Sequence, residues 1–196
     1  SHELRTPLNH IMGFAQVMAE ESYGPLNDQR YREYANNIHE SGKHLLAILN
    51  DILDVSRLET GVWQLVERDV DLNMVVDSVA RMVRDRTTQA GLTLDISCDA
   101  DLAEVLADER MVRQMLLNLL SNAAKFTPEG GTISVQSLRT EAGESILRVR
   151  DTGVGIAEEN FEKILMPFGQ VENALSRSTG GTGLGLAIAR DLAKNH

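Results

Sequence analysis

Four short stretches of the chain carry residue types at spacings that could do chemistry. In Ser1-His2-Glu3-Leu4-Arg5-Thr6-Pro7-Leu8, His2 and Thr6 are four residues apart and so share one face of a helix, with Arg5 close by. A neutral imidazole has a free lone pair, which makes His2 a candidate nucleophile near neutral pH. Glu3 points about 100° away around the helix and reaches the ring only through its flexible arm. Pro7 removes one helix hydrogen bond and can kink the helix here. In Asn118-Leu119-Leu120-Ser121-Asn122-Ala123-Ala124-Lys125-Phe126-Thr127, Asn118 and Asn122 again share a helix face, and Lys125 lies near it. Amide oxygens are hard ligands that can help hold Mg²⁺ beside phosphate oxygens and water, and a lysine can meet a phosphate charge. Asp151-Thr152-Gly153-Val154-Gly155-Ile156 follows a predicted strand. Its glycines permit a sharp turn and close approach to a ligand, and its carboxylate can accept a hydrogen bond from an amino group such as that of adenine. Gly180-Gly181-Thr182-Gly183-Leu184-Gly185-Leu186 opens an apolar helix, where backbone N–H groups and the helix N-terminus suit an anion. It lacks the Lys-Ser/Thr of a Walker A loop, and no strand directly precedes it as in a dinucleotide fingerprint. Taken singly, each stretch also fits a plainer reading: an exposed histidine, a solvated helix face, a glycine turn after a strand.

The elements that must position these residues differ between two parts of the chain. Leu4, Leu8, Ile11, Ala15 and Met18 recur at helical spacing, and Ser22–Asn27 is rich in turn formers. A second helical stretch runs from about Asp28 to Glu59, with Gly42 as its weak spot. Two such helices form an antiparallel hairpin that cannot cover its own apolar stripe, and pairing two hairpins gives a dimeric four-helix bundle. Thr60-Gly61 ends this part. Beyond it, Val62–Val66, Leu92–Ile96, Gly131–Val135 and Ile146–Arg150 are predicted strands. They alternate with helices near Leu72–Ala90, Glu109–Ala124 (capped by Asp108) and from Leu184. The pattern predicts an α+β sandwich with helices on one face of a mixed sheet. The domains are therefore expected at 1–61 and 62–196.

Composition narrows the function. The 196 residues hold 19 Lys plus Arg against 29 Asp plus Glu, a formal charge of −10, so no general nucleic-acid binding is expected. One cysteine, Cys98, excludes an internal disulfide and suits a reducing, cytoplasmic compartment. No run approaches the roughly 20 apolar residues of a membrane span, so any membrane anchor is expected in segments outside this sequence. The start inside a helix and the stop at Lys194-Asn195-His196 suggest a piece of a longer protein that lacks the beginning of its first helix and a final strand.

In combination the four stretches resemble the H, N, G1 and G2 boxes of sensor histidine kinases, in that order, and Phe161–Phe168 resembles their F box. The resemblance covers essentially the whole chain. It implies a dimerisation and histidine-phosphotransfer hairpin followed by a catalytic ATP-binding domain of the Bergerat type shared with gyrase-, Hsp90- and MutL-like ATPases. More loosely, Phe14-Ala15-Gln16, Tyr23-Gly24-Pro25-Leu26 and Tyr31 are similar to the PleC/DivJ-type cell-cycle kinases. The resemblance implies that His2 takes the γ-phosphoryl group of ATP, that Glu3 is the general base, and that Thr6 orients water in a phosphatase reaction. It places Asn118 and Asn122 at Mg²⁺, Lys125 at the phosphates, Phe126 against the adenine and Asp151 on the adenine amino group. Gly153, Gly155, Gly181, Gly183 and Gly185 would shape the nucleotide loops, and about Ile156–Gly181 would form an ATP lid. The implied partners are a second copy of the hairpin and a response-regulator receiver domain, in a two-component system. Two other readings fit part of the pattern: an ATPase of the same sandwich class without histidine transfer, and a dimeric scaffold that has lost turnover.

Overall fold

The computed structural model describes residues 2–22, 24–59, 65–100, 102, 104–171 and 182–196, without the side chains of 2–5, 7, 44, 54, 55 and 57–59. The chain divides into two compact units, Ser1–Ser56 and Arg57–His196.

The first unit is a helical hairpin of α1 (His2–Ala19) and α2 (Gln29–Glu59). Leu8, Ala15 and Ala35 are buried within it. Gly42 is buried too, and a Cβ there would run into Cγ of Met12, so the residue that weakens α2 as a helix is what lets α1 come close. Beside it His39 Nδ1 lies 3.1 Å from the Met12 carbonyl oxygen, a second tie between the helices. Glu21 ends α1 with a left-handed φ of 52°, unusual for a residue with a side chain. Its carboxylate offsets that cost by accepting hydrogen bonds from the Leu26 N–H, at 3.0 Å, and pairing with Arg32, at 2.8 Å, which closes the turn. The outer faces of the hairpin remain apolar: Ile11, Phe14, Met18, Tyr31, Tyr34, Ile38, Leu45 and Ile52 are all exposed.

The second unit runs β1 (Arg68–Val70), α3 (Leu72–Gln89), β2 (Thr93–Cys98), β3 (Val105–Ala107), α4 (Glu109–Phe126), β4 (Thr132–Arg139), β5 (Ser145–Asp151), a 3₁₀ turn (Glu158–Asn160), α5 (Phe161–Leu165) and α6 (Gly185–Asn195). β2, β4 and β5 form a mixed sheet in that order, β2 parallel and β5 antiparallel to β4, while β1 and β3 make a separate antiparallel pair. The expected α+β sandwich is present. One expected strand is corrected. Of Val62–Val66, residues 62–64 lie outside the described residues and Leu65 and Val66 are irregular; among the described residues the first strand of this unit is β1, from Arg68. The exposed charges of Arg68 and Asp69, with only Val70 buried, disguise β1 as a loop. β3 is equally short and was not expected.

α3 and α4 start where carboxylates cap them. Asp71 accepts from the N–H groups of Asn73 and Met74, and Asp108 from that of Arg110. Both helices cover one face of the mixed sheet with Val75, Val76, Val79, Val83, Val112, Leu116, Leu120 and Ala123, against Ile133 and Val135 of β4. Each of these valines, leucines and the isoleucine contributes roughly 1.5–3 kcal/mol by leaving water, and Ala123 less. α6 packs along α4 and buries Ala187, Ile188 and Leu192. Among the described residues no helix is long and apolar enough to cross a membrane.

Gly42→Ala is expected to lower the stability of the hairpin by about 1–3 kcal/mol through overpacking, although alanine is the better helix former. Urea unfolding followed by circular dichroism checks this; an unchanged or higher midpoint would show that Met12 can move aside.

Candidate active site

α4 divides its surface between the core and the site. Leu116, Leu120 and Ala123 turn to the core, while Asn118 and Asn122 lie half-buried toward the start of α6. Asn118 Nδ2 donates to the Gly185 carbonyl at 3.1 Å. A Cβ on Gly185 would sit 3.7 Å from Asn122 Nδ2 and 3.8 Å from Asn118 Cβ, so the two asparagines and the first residue of α6 are in contact range. Because the Asn118 nitrogen is committed to Gly185, its oxygen is the atom left to act as a ligand. Among the described residues, that oxygen receives one long hydrogen bond, 3.4 Å, from Gln114 Nε2. Gln114 was not anticipated as part of the site, though its place one turn before Asn118 was legible.

The loop before α6 is shaped by Gly183, at φ 71°, and by Thr182 Oγ1, which accepts from the Leu184 N–H at 3.2 Å. A Cβ on Gly183 would lie 2.8 Å from the Phe168 carbonyl carbon. Phe168 itself has a left-handed φ of 62°. The end of the expected F box and the G2 loop are thus stacked backbone on backbone. Gly181, expected in the nucleotide loop, lies outside the described residues, as does 172–180 of the expected lid. Its described part contains the 3₁₀ turn and α5.

The other end of the site is the turn after β5. Asp151 is exposed, and its Oδ1 accepts from the Gly153 N–H at 2.9 Å, leaving the second oxygen for a ligand. A Cβ on Gly153 would lie 2.6 Å from both this Oδ1 and the Phe126 carbonyl oxygen, so only glycine fits. The Val154 N–H donates to the same Phe126 carbonyl at 3.2 Å, fastening the turn to the end of α4. Gly155 adopts φ 69° in open space. The Lys125 ammonium lies 4.6 Å from the centre of the Phe126 ring. Burial, and then the charge of Arg86, hold its pKa below the usual lysine value. An arriving anion would be attracted by that amine. From Asn118 to Phe126 the helix rises about 12 Å, so it carries an amide cluster at one end of the site and an aromatic and carboxylate cluster at the other.

Among the described residues no three of His, Cys, Asp and Glu are grouped to hold a metal. The donors present, two amide side chains, suit a hard cation that arrives with a ligand supplying further oxygens. His2 and Glu3 belong to α1, with their side chains outside the described set; Thr6 is exposed on the same helix.

Residues 1–61 match the family model of the His Kinase A (phospho-acceptor) domain, and residues 107–196 that of the histidine kinase-, DNA gyrase B- and HSP90-like ATPases. The chain belongs to the histidine kinases. It is 50% identical, over its full length, to the non-motile and phage-resistance protein of Caulobacter vibrioides, and spans 24% of that relative. Full-length ShkA in complex with AMPPNP superposes with a TM-score of 0.80 at 35% identity, over 98% of this chain and 39% of that one. Histidine kinase ThkA in complex with the response regulator protein TrrA superposes with a TM-score of 0.66 at 27% identity, over 99% of this chain and 52% of that one.

Gly153→Ala is expected to destabilise the second unit by about 1–3 kcal/mol, because the turn must leave Phe126; denaturant unfolding of residues 57–196 reads this directly. A further expectation concerns acid. The side-chain hydrogen bond from Arg110, above all, holds the Asp108 carboxyl well below the usual carboxylate range, against the opposing effect of burial. A depressed folded pKa contributes stability that is present in full above about pH 4 and fades as the pH falls below it. Asp108→Asn should flatten that acid limb in a pH series of unfolding midpoints; an unchanged slope would assign the limb to other carboxylates.

Proposed function

We propose that the chain is the core of a two-component sensor kinase that autophosphorylates His2 with ATP and passes the phosphoryl group to an aspartate of a response-regulator receiver domain. The reading is carried by one observation: the amides of Asn118 and Asn122 meet the first turn of α6 on the same helix whose other end holds the Asp151 turn. This suits an elongated ligand with phosphates at one end and a base at the other. Asp151 accepts a hydrogen bond from the adenine amino group, and Phe126 lies against the ring. Lys125 and the backbone of Gly153, Gly155, Gly181, Gly183 and Gly185 line the nucleotide. Asn118 and Asn122 would hold Mg²⁺, which would neutralise charge on the phosphate oxygens. A ring nitrogen of His2 attacks the γ-phosphorus, the bond to the bridging oxygen breaks and ADP leaves, while Glu3 holds the proton on the other ring nitrogen. Thr6, on the His2 face, orients water for the reverse task of hydrolysing the regulator's acyl phosphate.

The domain division assigned is 1–61 and 62–196, with the junction at Glu59-Thr60-Gly61, whose last two residues lie outside the described residues, as the expected hinge. The exposed apolar faces of α1 and α2 support homodimerisation of the hairpin. The assigned location is the cytoplasm, with any membrane anchor in other segments of the protein.

Incubation with Mg²⁺ and γ-labelled ATP, beside His2→Gln and Asn122→Ala, tests the whole scheme. An acid-labile, alkali-stable label is expected on the unaltered chain, none on His2→Gln, and at least a tenfold loss on Asn122→Ala. ATP hydrolysis without protein label would favour the plain ATPase, and failure to bind ATP would favour the scaffold.

A further inference from the structure

Asp108 does more than start α4. Its Oδ1 accepts from the Arg110 N–H at 3.0 Å and from Arg110 Nε at 3.2 Å. Its Oδ2 accepts from Arg110 Nη2 at 2.8 Å and from the Val66 N–H at 3.1 Å. Its own N–H donates to His196 Nε2 at 3.0 Å, so the far end of α6 is tied to the same residue. The carboxylate is 2% exposed. An N-cap needs only one acceptor oxygen, and asparagine or serine serves as well. Burying a full carboxylate is costly unless each oxygen is used. Here the second oxygen is spent on the backbone of a segment 42 residues earlier, only seven residues beyond the end of α2 at Glu59. That segment brings the chain from the hairpin unit into the second unit. Ten residues along the same helix, about 15 Å away, Asn118 holds the opposite end of α6.

We propose that Asp108 is a positioning residue for phosphoryl transfer: it fastens the incoming chain at Val66 to the helix that carries Asn118 and Asn122. The point where the second unit is tethered then stays fixed relative to the phosphate end of its site. This rests on the kinase reading above, since only a reaction between groups on two units needs such a fixed tether. Asp108 lies about 15 Å along α4 from Asn118 and both its oxygens are taken by Arg110 and Val66, so its loss acts on the transfer step and not on nucleotide affinity.

Two variants of the full chain separate this from a simple cap. Asp108→Asn keeps one acceptor for the Arg110 N–H but cannot also accept from Val66, and Val66→Pro removes the Val66 N–H, fixing φ there as well, while it leaves Asp108 and Arg110 unaltered. Both are expected to bind a fluorescent ATP analogue within about threefold of the unaltered chain and to label His2 at least tenfold more slowly at saturating ATP. Amide hydrogen exchange is the independent readout: Val66 should be protected in the unaltered chain and lose that protection in Asp108→Asn, while α4 keeps its own. A folded Val66→Pro that labels at the unaltered rate overturns the proposal, as does fast exchange of Val66 in the unaltered chain. Parallel loss of nucleotide affinity and rate also overturns it, because Asp108 would then act only by holding α4. No label on the unaltered chain, with Val66 still protected, defeats the kinase reading and the catalytic role together and leaves the anchor as a structural bond.

Discussion

The second unit depends on one constraint: α4 must bury one face and keep the adjoining one polar over the same five turns. Leu116, Leu120 and Ala123 are nearly without solvent contact against the sheet, while Asn118 and Asn122, interleaved with them, reach the start of α6. A rotation of the helix by one residue would exchange these roles, putting amides in the core without partners and leucines in the site. The apolar face therefore sets the orientation of the polar one. The sheet, the cap at Asp108 and the packing of α6 all serve to hold that orientation.

The glycines divide by the kind of approach they permit. At Gly153 the issue is contact, since a side chain would strike the last carbonyl of α4; at Gly183 it is both contact, with Phe168, and a positive φ. Gly42 plays the corresponding part in the hairpin, where it lets two helices close on each other. In each case a backbone meets another element at a distance only a missing Cβ allows.

Much of this was legible in the sequence because it is periodic or local. The helices at Leu72–Gln89 and Glu109–Phe126 and the strands β2, β4 and β5 fell within a few residues of expectation, since long apolar runs with caps or alternation announce themselves. The shared face of Asn118 and Asn122 followed from helix geometry alone. What escaped was short or long-range. β1 and β3 are three residues each, with a single buried side chain apiece to mark an inner face, so their pairing across 37 residues leaves no pattern. Asp108 was recognisable as a cap, but its bond to Val66 joins residues that only the fold brings together. Gly42 looked like a flaw in α2 because its reason lies on the other helix. The Lys125 amine resting over Phe126 was likewise invisible, as side-chain direction at a helix end is not a matter of spacing.

The stacking of Phe168 on Gly183 has a consequence for how freely the chain between them can change. The two ends of that stretch are held side by side, with a left-handed residue at each. The entropy of closing a loop grows only with the logarithm of its length, by about 0.6 kcal/mol for each doubling. Residues can therefore be added to or removed from the stretch with little effect on the fold around it. The spacing of Asn118, Asn122 and Asp151 is set by α4, by its contact with the start of α6 and by the turn fastened to Phe126, and not by the length of that stretch.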